Sequence, residues 1–431
     1  MFASPRNWHR RLAGLPWAWI EQGTSSGGSF LAFYLSAMLL GPDQYGVLAA
    51  TWVCIQFFLG LSSSWVSTAL SSLRVEASQE VHLLGVCLAR HLHVLFVLLV
   101  ALPWMLAVVV PETFSDVPLL VTVLSLGVST LVGEFLRRYL ARRQRRWLAS
   151  IYSGLKWLVS VSLILLAYAT ETLSFGSVIW ALCLANAVAL LLVAFLLLRV
   201  KESAATADDR ELSRRVSTLS FPVLVDNLTV ATSSVLLAVV IRSQIDNAAY
   251  GGYQAVTSLC GAVTVFLQLI DIHYSSHLLY TQVDLRRTQR DQNLLLVAML
   301  ALVSLVIYPA RLWLLVHVLG PSYSSFTLLL PLLALQSMIQ VLSQFAIVQL
   351  RVLDGTKVYY WRAGIRACGT ITALFIAMQF GVVEAIAAVL VLSVLIQYLA
   401  VRVLLSRAMG KHAHGVPDEV LPLPGCRTRA A

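Results

Sequence analysis

The sequence predicts an all-α polytopic membrane protein, with about twelve transmembrane helices in two six-helix pseudo-repeat lobes around a central cavity. Three observations predict it. Of 431 residues, 58% are hydrophobic and 12% charged, about half the charge of an ordinary soluble domain, and the mean hydropathy is +0.80. Apolar runs of about 20 residues recur along the whole chain, each long enough to cross a hydrocarbon core of roughly 30 Å. The basic residues gather in short clusters between alternate runs. So few charges cannot cover a water-facing surface, which excludes an ordinary cytosolic enzyme.

The elements follow in order. Residues 1–11 are basic, and the first span is expected at 14–40. Glu21 interrupts its apolar run, so it reads as a retained helix and not as a cleaved signal peptide. Further spans fall at 46–67, 84–110, 117–136, 147–169 and 174–198. A second set falls at 218–241, 249–270, 293–319, 325–350, 358–379 and 382–405. The first span is rich in Gly and Ser, and the third admits a later start.

The connections test this count. Arg6, Arg10 and Arg11 precede the first span, and Arg74 and Arg90 come between the second and third. A run from Arg137 to Arg146 separates the fourth from the fifth, and Arg199, Lys201, Arg210, Arg214 and Arg215 mark the middle of the chain. Arg286, Arg287 and Arg290, then Arg351, Lys357 and Arg362, and finally a basic C-terminus continue the alternation. Arg242 is the single basic residue on the other set of connections. This asymmetry predicts that both termini of a multi-pass membrane protein lie in the cytoplasm. It also accounts for the net charge of +10 without nucleic acid; the 137–146 run reads as an anionic-lipid contact and topology signal.

The outer connections are too short to fold into a catalytic domain. The expected organisation is a six-helix lobe over 1–205 with a flexible linker at 199–217, a second lobe over 206–410, and a disordered cytoplasmic tail at 411–431. The six cysteines show no C-x-x-C spacing and read as small packing residues, so neither a metal site nor a disulfide is expected. His91 and His93, two residues apart, point to different sides of a helix.

The halves repeat each other. At an offset of about 205 residues, Glu21-Gln22 meets Asp226-Asn227, Thr24 meets Thr229, Ser29 meets Ser234, and Tyr45-Gly46 meets Tyr250-Gly251. At about 210, Gly154 meets Gly364, Lys156 meets Arg366 and Ser160 meets Thr370. Six helices per repeat make the halves parallel, an arrangement suited to opening a central cavity alternately to either side.

Leu40-Gly41-Pro42-Asp43-Gln44-Tyr45-Gly46 after the first span resembles the LGPxxYG signature of polysaccharide and O-antigen flippases. Leu319-Gly320-Pro321-Ser322-Tyr323, the basic run ending at Arg146, and Phe380-Gly381-Val382-Val383 are similar to further motifs of that family. Glu384 departs from it, standing where the family usually has a small residue. The resemblance covers residues 17–407. It implies membership of the multidrug, oligosaccharidyl-lipid and polysaccharide exporter superfamily, a two-lobed transporter without an ATPase domain. It further implies an undecaprenyl-pyrophosphate-linked oligosaccharide as substrate, moved from the cytoplasmic to the periplasmic leaflet. A glycan polymerase and glycosyltransferases of the same pathway would then be partners, besides the bilayer itself. The alternative is an ion-coupled multidrug or metabolite exporter of the same superfamily. A polymerase or ligase would need a sizeable outer loop.

Ionisable groups within spans are functional candidates by default. Lys156 and Arg366 occupy matched depths and are candidates to clamp a pyrophosphate. Glu21 and Asp226 lie at similar depth, so Glu21–Lys156 and Asp226–Arg366 ion pairs are the competing reading, and snorkelling to the interface a third. Gln22 and Asn227 stand beside the acids, in hydroxyl-rich stretches expected to line the cavity, and Pro222 would let its helix bend. Arg311, beside Pro309, is a candidate to receive substrate on the outer side or to snorkel there. No cofactor is expected; coupling to a proton or sodium gradient is a hypothesis without residues of its own.

Overall fold

The structure is a computed structural model that describes residues 5–68, 70, 73, 79–143, 145–198, 210–261, 294, 296–354 and 357–413. The described residues are nearly all helical, and ten stretches are long and apolar enough to cross a membrane. The helical stretch Pro5–Ser62 is two helices joined at Gly41, whose φ of 74° and ψ of 169° break the helical path. We label them α1 (residues 5–40) and α2 (42–62); a π-helical turn, Ser63–Ser67, closes α2. Then come α3 (Glu80–Val109), a short turn Pro111–Ser115, α4 (Val117–Arg142), α5 (Arg146–Ala169) and α6 (Phe175–Leu198). The second set is α7 (Arg210–Gln244), α8 (Asn247–Cys260), α9 (Leu296–Val318), α10 (Leu329–Asp354), α11 (Lys357–Phe380) and α12 (Val383–Ala413). Each of the twelve expected spans is helical over most of its described residues, although residues 262–270 of the eighth and 293 and 295 of the ninth lie outside the described residues.

Several boundaries move, for reasons in the residues. Hydropathy ends the fourth span at 136, yet α4 continues to Arg142. Arginine is a good helix former, and Glu134 pairs with Arg137 and Arg138 one turn on. The third helix starts earlier than expected, at Glu80, and Arg90, read as part of the connection before it, lies within the helix. The 199–217 segment is not wholly a linker: from Arg210 it is already α7, which runs on through Pro222. The last helix extends three residues into the expected tail; positions 199–209 and 414–431 lie outside the described residues.

The packing repeats between halves. In the first, α1 lies on α5 and α6 packs on α4 and α5; in the second, α7 lies on α11 and α12 packs on α10 and α11. Helices in lipid gain little from burying apolar surface and approach closely where residues are small. Gly28 of α1 sits on Trp157 of α5, where an added Cβ would lie 2.5 Å from the Trp157 Cβ. Gly133 of α4 makes room for the Tyr152 hydroxyl, which bonds Asn186 Oδ1 at 3.2 Å.

At the end opposite the basic clusters, the far end, the halves close on each other. A Cβ at Gly46 of α2 would strike the Asn247 carbonyl and the Gly251 nitrogen. One at Gly251 of α8 would strike the Pro42 carbonyl and the Gly46 nitrogen. Tyr323 is fully buried and donates to the Ala37 carbonyl at 2.7 Å, while Tyr34 donates to the Val318 carbonyl at 2.8 Å. Arg242 at the end of α7 donates to the Val109 carbonyl, to Asn247 Oδ1 at 2.7 Å and to both oxygens of Glu112 at 3.1 Å.

Candidate functional site

Among the described residues, the buried charges inside the spans form one cluster in each half, both toward the basic end. Glu21 lies about 28 Å from the far end of α1, and Asp226 about 27 Å from that of α7, at 1.5 Å per residue. Lys156 and Arg366 are deeper, about 20 Å from the far ends of α5 and α11. The two acids match each other in depth, as do the two cations, but the cations lie about 8 Å deeper than the acids and not level with them as expected.

In the first half, Glu21 does not pair with Lys156. Its Oε1 accepts from Arg137 Nη1 at 2.9 Å, and both side chains are 11% exposed. Arg137 also grips Glu134 through Nε and Nη2, at 2.9 and 2.8 Å. Arg138 Nε donates to Glu134 Oε1 at 2.8 Å. The extension of α4 beyond 136 is what carries Arg137 into the interior. The expectation that the whole 137–146 run faces the membrane surface fails for this residue. Lys156 is 8% exposed and forms no ion pair among the described residues; its Nζ lies 4.5 Å from the ring centroid of its neighbour Trp157. Glu134 and Arg137 are the charges that act on it.

In the second half Asp226, 3% exposed, does face Arg366 as expected, but loosely, at 3.9 Å. Arg362 is nearer, at 3.3 Å, and Asp226 Oδ1 accepts no hydrogen bond among the described residues. One turn beyond Arg366, Thr370 bonds Ser233 at 2.9 Å and fastens α11 to α7.

The remaining candidates are more local. Gln22 donates to Ser26 within α1 at 2.7 Å. Asn227 donates to Ser64 of the π-turn at 2.7 Å, so it joins α7 to α2. Arg311 folds back on its own turn, bonding the Tyr308 carbonyl at 2.7 Å with its guanidinium 4.2 Å from the Tyr308 ring centroid. His91 is buried against Ser62, whereas His93 is exposed and bonds its own helix.

Sequence reasoning overlooked Glu134, Arg137 and Arg362. Glu134 lay inside an expected span and met the same criterion that singled out Glu21. Arg137 and Arg362 were hidden among surface cations. Among the described residues Arg137 pairs with Glu21 and Glu134, Arg138 pairs with Glu134 from a side chain 38% exposed, Lys156 has no ion partner, and Arg362 and Arg366 face Asp226. Among the described residues each half thus holds one cation that its acids do not fully engage, Lys156 in the first and Arg366 in the second, an arrangement able to accept an anion.

A family model described as polysaccharide biosynthesis protein matches residues 12–271. The chain belongs to the polysaccharide biosynthesis protein family. No curated protein matches it. Among solved structures, this family member resembles the lipid II flippase MurJ in an inward closed conformation, with a TM-score of 0.58, 11% identity and 94% of each chain covered. It is also similar to a multidrug resistance MATE family transporter of the MOP superfamily in its inward-facing conformation, with a TM-score of 0.54, 14% identity, and 90% of this chain and 96% of that one covered. The outward-facing conformation of a MATE family transporter gives a TM-score of 0.54 at 13% identity. At such identities the likeness concerns the fold: a polytopic transporter architecture, in a multi-pass membrane protein of the polysaccharide biosynthesis family.

Proposed function

We propose that the chain is a flippase that moves an undecaprenyl-pyrophosphate-linked oligosaccharide, such as an O-antigen repeat unit, from the cytoplasmic to the periplasmic leaflet. The basic end faces the cytoplasm, as the distribution of Lys and Arg requires, in the bacterial inner membrane. Residues 1–205 and 206–410 act as two lobes that rock about a central cavity, and no covalent bond is made or broken. The observation that carries the reading is one incompletely engaged cation in each half: Lys156, buried and without an ion pair among the described residues, and Arg366, 3.9 Å from an Asp226 that Arg362 approaches to 3.3 Å. Each phosphate of a pyrophosphate diester carries one negative charge, so Lys156 and Arg366 would together balance the head group. Desolvating it beside Lys156 and Arg366 strengthens each charge-assisted hydrogen bond.

The MATE-like fold raises the second reading, an ion-coupled exporter of cationic drugs. A cationic substrate would need an acid free to meet it. Here Glu21, Glu134 and Asp226 each already face an arginine, which favours the anionic substrate.

Complementation of a strain lacking its O-antigen flippase tests the proposal, with wild type compared at matched expression against Lys156→Ala, Arg366→Ala and Arg366→Lys. Restoration of surface glycan by wild type, its loss in both alanine variants and partial retention in Arg366→Lys are the expected results. Normal glycan in both alanine variants would overturn the pyrophosphate clamp. Drug efflux that depends on Glu21 and Asp226, without glycan export, would establish the exporter instead.

A further inference from the structure

The two clusters are built from different elements around the same pair of matched positions. Glu21 and Asp226 correspond in the repeat, as do Lys156 and Arg366. The cation nearest each acid does not correspond. Glu21 is held by Arg137 from α4, and Asp226 by Arg362 from α11. Four residues before Lys156, where α11 has Arg362, α5 has Tyr152, whose hydroxyl bonds Asn186. The geometry differs in the same sense. All three guanidinium nitrogens of Arg137 are engaged with carboxylates, whereas Lys156 has no ion partner among the described residues and rests on an indole ring. Arg362 is the nearer and more buried partner of Asp226, with a side chain 14% exposed; Arg366 is more distant and 19% exposed.

We propose that Arg137 and Arg362 are positioning residues that keep the buried carboxylates engaged, and that Lys156 and Arg366 are thereby left free to contact the phosphates of the substrate. This rests on the flippase reading and assigns the work within its site. An ammonium or guanidinium in a low-dielectric interior is drawn to any carboxylate within reach. Without Arg362, Asp226 closes on Arg366 and blocks it; without Arg137, Glu134 is released toward Lys156. A positioning role therefore predicts a rescue that simple structural damage does not: removing the freed acid restores phosphate binding.

The test measures binding of inorganic pyrophosphate and of undecaprenyl pyrophosphate to the full chain in lipid nanodiscs at low salt, with a melting curve for every variant. Arg366→Gln and Lys156→Gln should each weaken both probes by about tenfold or more, the loss of one charged hydrogen bond. Arg362→Gln should weaken them similarly, and Asp226→Asn/Arg362→Gln should return to within about threefold of wild type. Asp226→Asn should not rescue Arg366→Gln. In the first half, Glu21→Gln/Glu134→Gln/Arg137→Gln should bind better than Arg137→Gln alone. If the Asp226→Asn/Arg362→Gln double variant is folded and binds as poorly as Arg362→Gln, then Arg362 contacts the anion itself and the division of roles is wrong. If Lys156→Gln and Arg366→Gln both bind like wild type, the anion site, and with it the flippase reading, fails instead. Binding of inorganic but not lipid-linked pyrophosphate would keep the division of roles and overturn the lipid substrate.

Discussion

The difference between a buried and an exposed ion pair sets what single substitutions will do. Arg137 bridges two carboxylates at 11% side-chain exposure, while Arg138 is 38% exposed. Removing one partner of a buried pair leaves an uncompensated charge and costs about 3–5 kcal/mol; an exposed pair contributes less than about 1 kcal/mol. Arg137→Ala should therefore lower the unfolding free energy several times more than Arg138→Ala, measured by denaturation in the same detergent. Comparable losses would show that α4 does not carry Arg137 into the interior. At this scale the sequence was partly legible. Lys156, Arg366, Glu21 and Asp226 stood out because charge inside an apolar run is rare. Arg137 did not, because a hydropathy window ends a span at the first arginine even where the helix continues and turns that arginine inward; Arg362, near the start of its span, passed for one of the surface cations around it. Which acid meets which cation depends on helix rotation, and the expected Glu21–Lys156 pair failed on that point.

At the scale of elements, the Gly-Pro turns explain a motif that read only as a signature. Gly41 and Gly320 adopt φ of 74° and 106° with ψ of 169° and 165°, an essentially glycine-only region that costs other residues about 1–3 kcal/mol, and the proline that follows starts the next helical turn. Gly41→Ala should lower the melting temperature of the purified protein without preventing insertion. The crossing of α2 and α8 is sealed by backbone, so Gly46→Val or Gly251→Val should separate the helices. A cysteine pair across the crossing would then form a disulfide more slowly than in the parent. The contact of Arg242 with Glu112 and the Val109 carbonyl makes the same closure electrostatic. Burial favours the neutral Glu112 carboxyl, but backbone hydrogen bonding and the Arg242 charge outweigh it and hold its pKa below the ordinary 4.5. A depressed carboxylate stabilises the closed end above its ordinary pKa and loses that effect only as pH falls through the lowered value. Accessibility of a far-end cysteine should thus be unchanged between about pH 5 and pH 8 in the wild type, and raised at every pH in Arg242→Ala. An opening within that pH range would show that the Arg242–Glu112 pair does not set the closure.

For the whole molecule, the number and order of spans followed from apolar length and charge alternation, which report on solvent rather than on packing. Orientation rests on the same alternation. A C-terminal green fluorescent protein fusion should fluoresce, and a C-terminal alkaline phosphatase fusion should be inactive. The opposite outcome would place the basic end outside and reverse the direction of transport. The assembly of the spans was legible only through the offset of about 205 residues, because long-range contacts leave no local periodicity.

That offset reappears in space at the far end. Gly46 meets Asn247 and Gly251, and Gly251 meets Pro42 and Gly46; Pro42 and Asn247 are themselves 205 residues apart. The contact is therefore self-complementary, the geometry of an isologous two-fold interface between identical subunits. The basic end departs from that symmetry, since one half takes its nearest counter-cation from α4 and the other from α11.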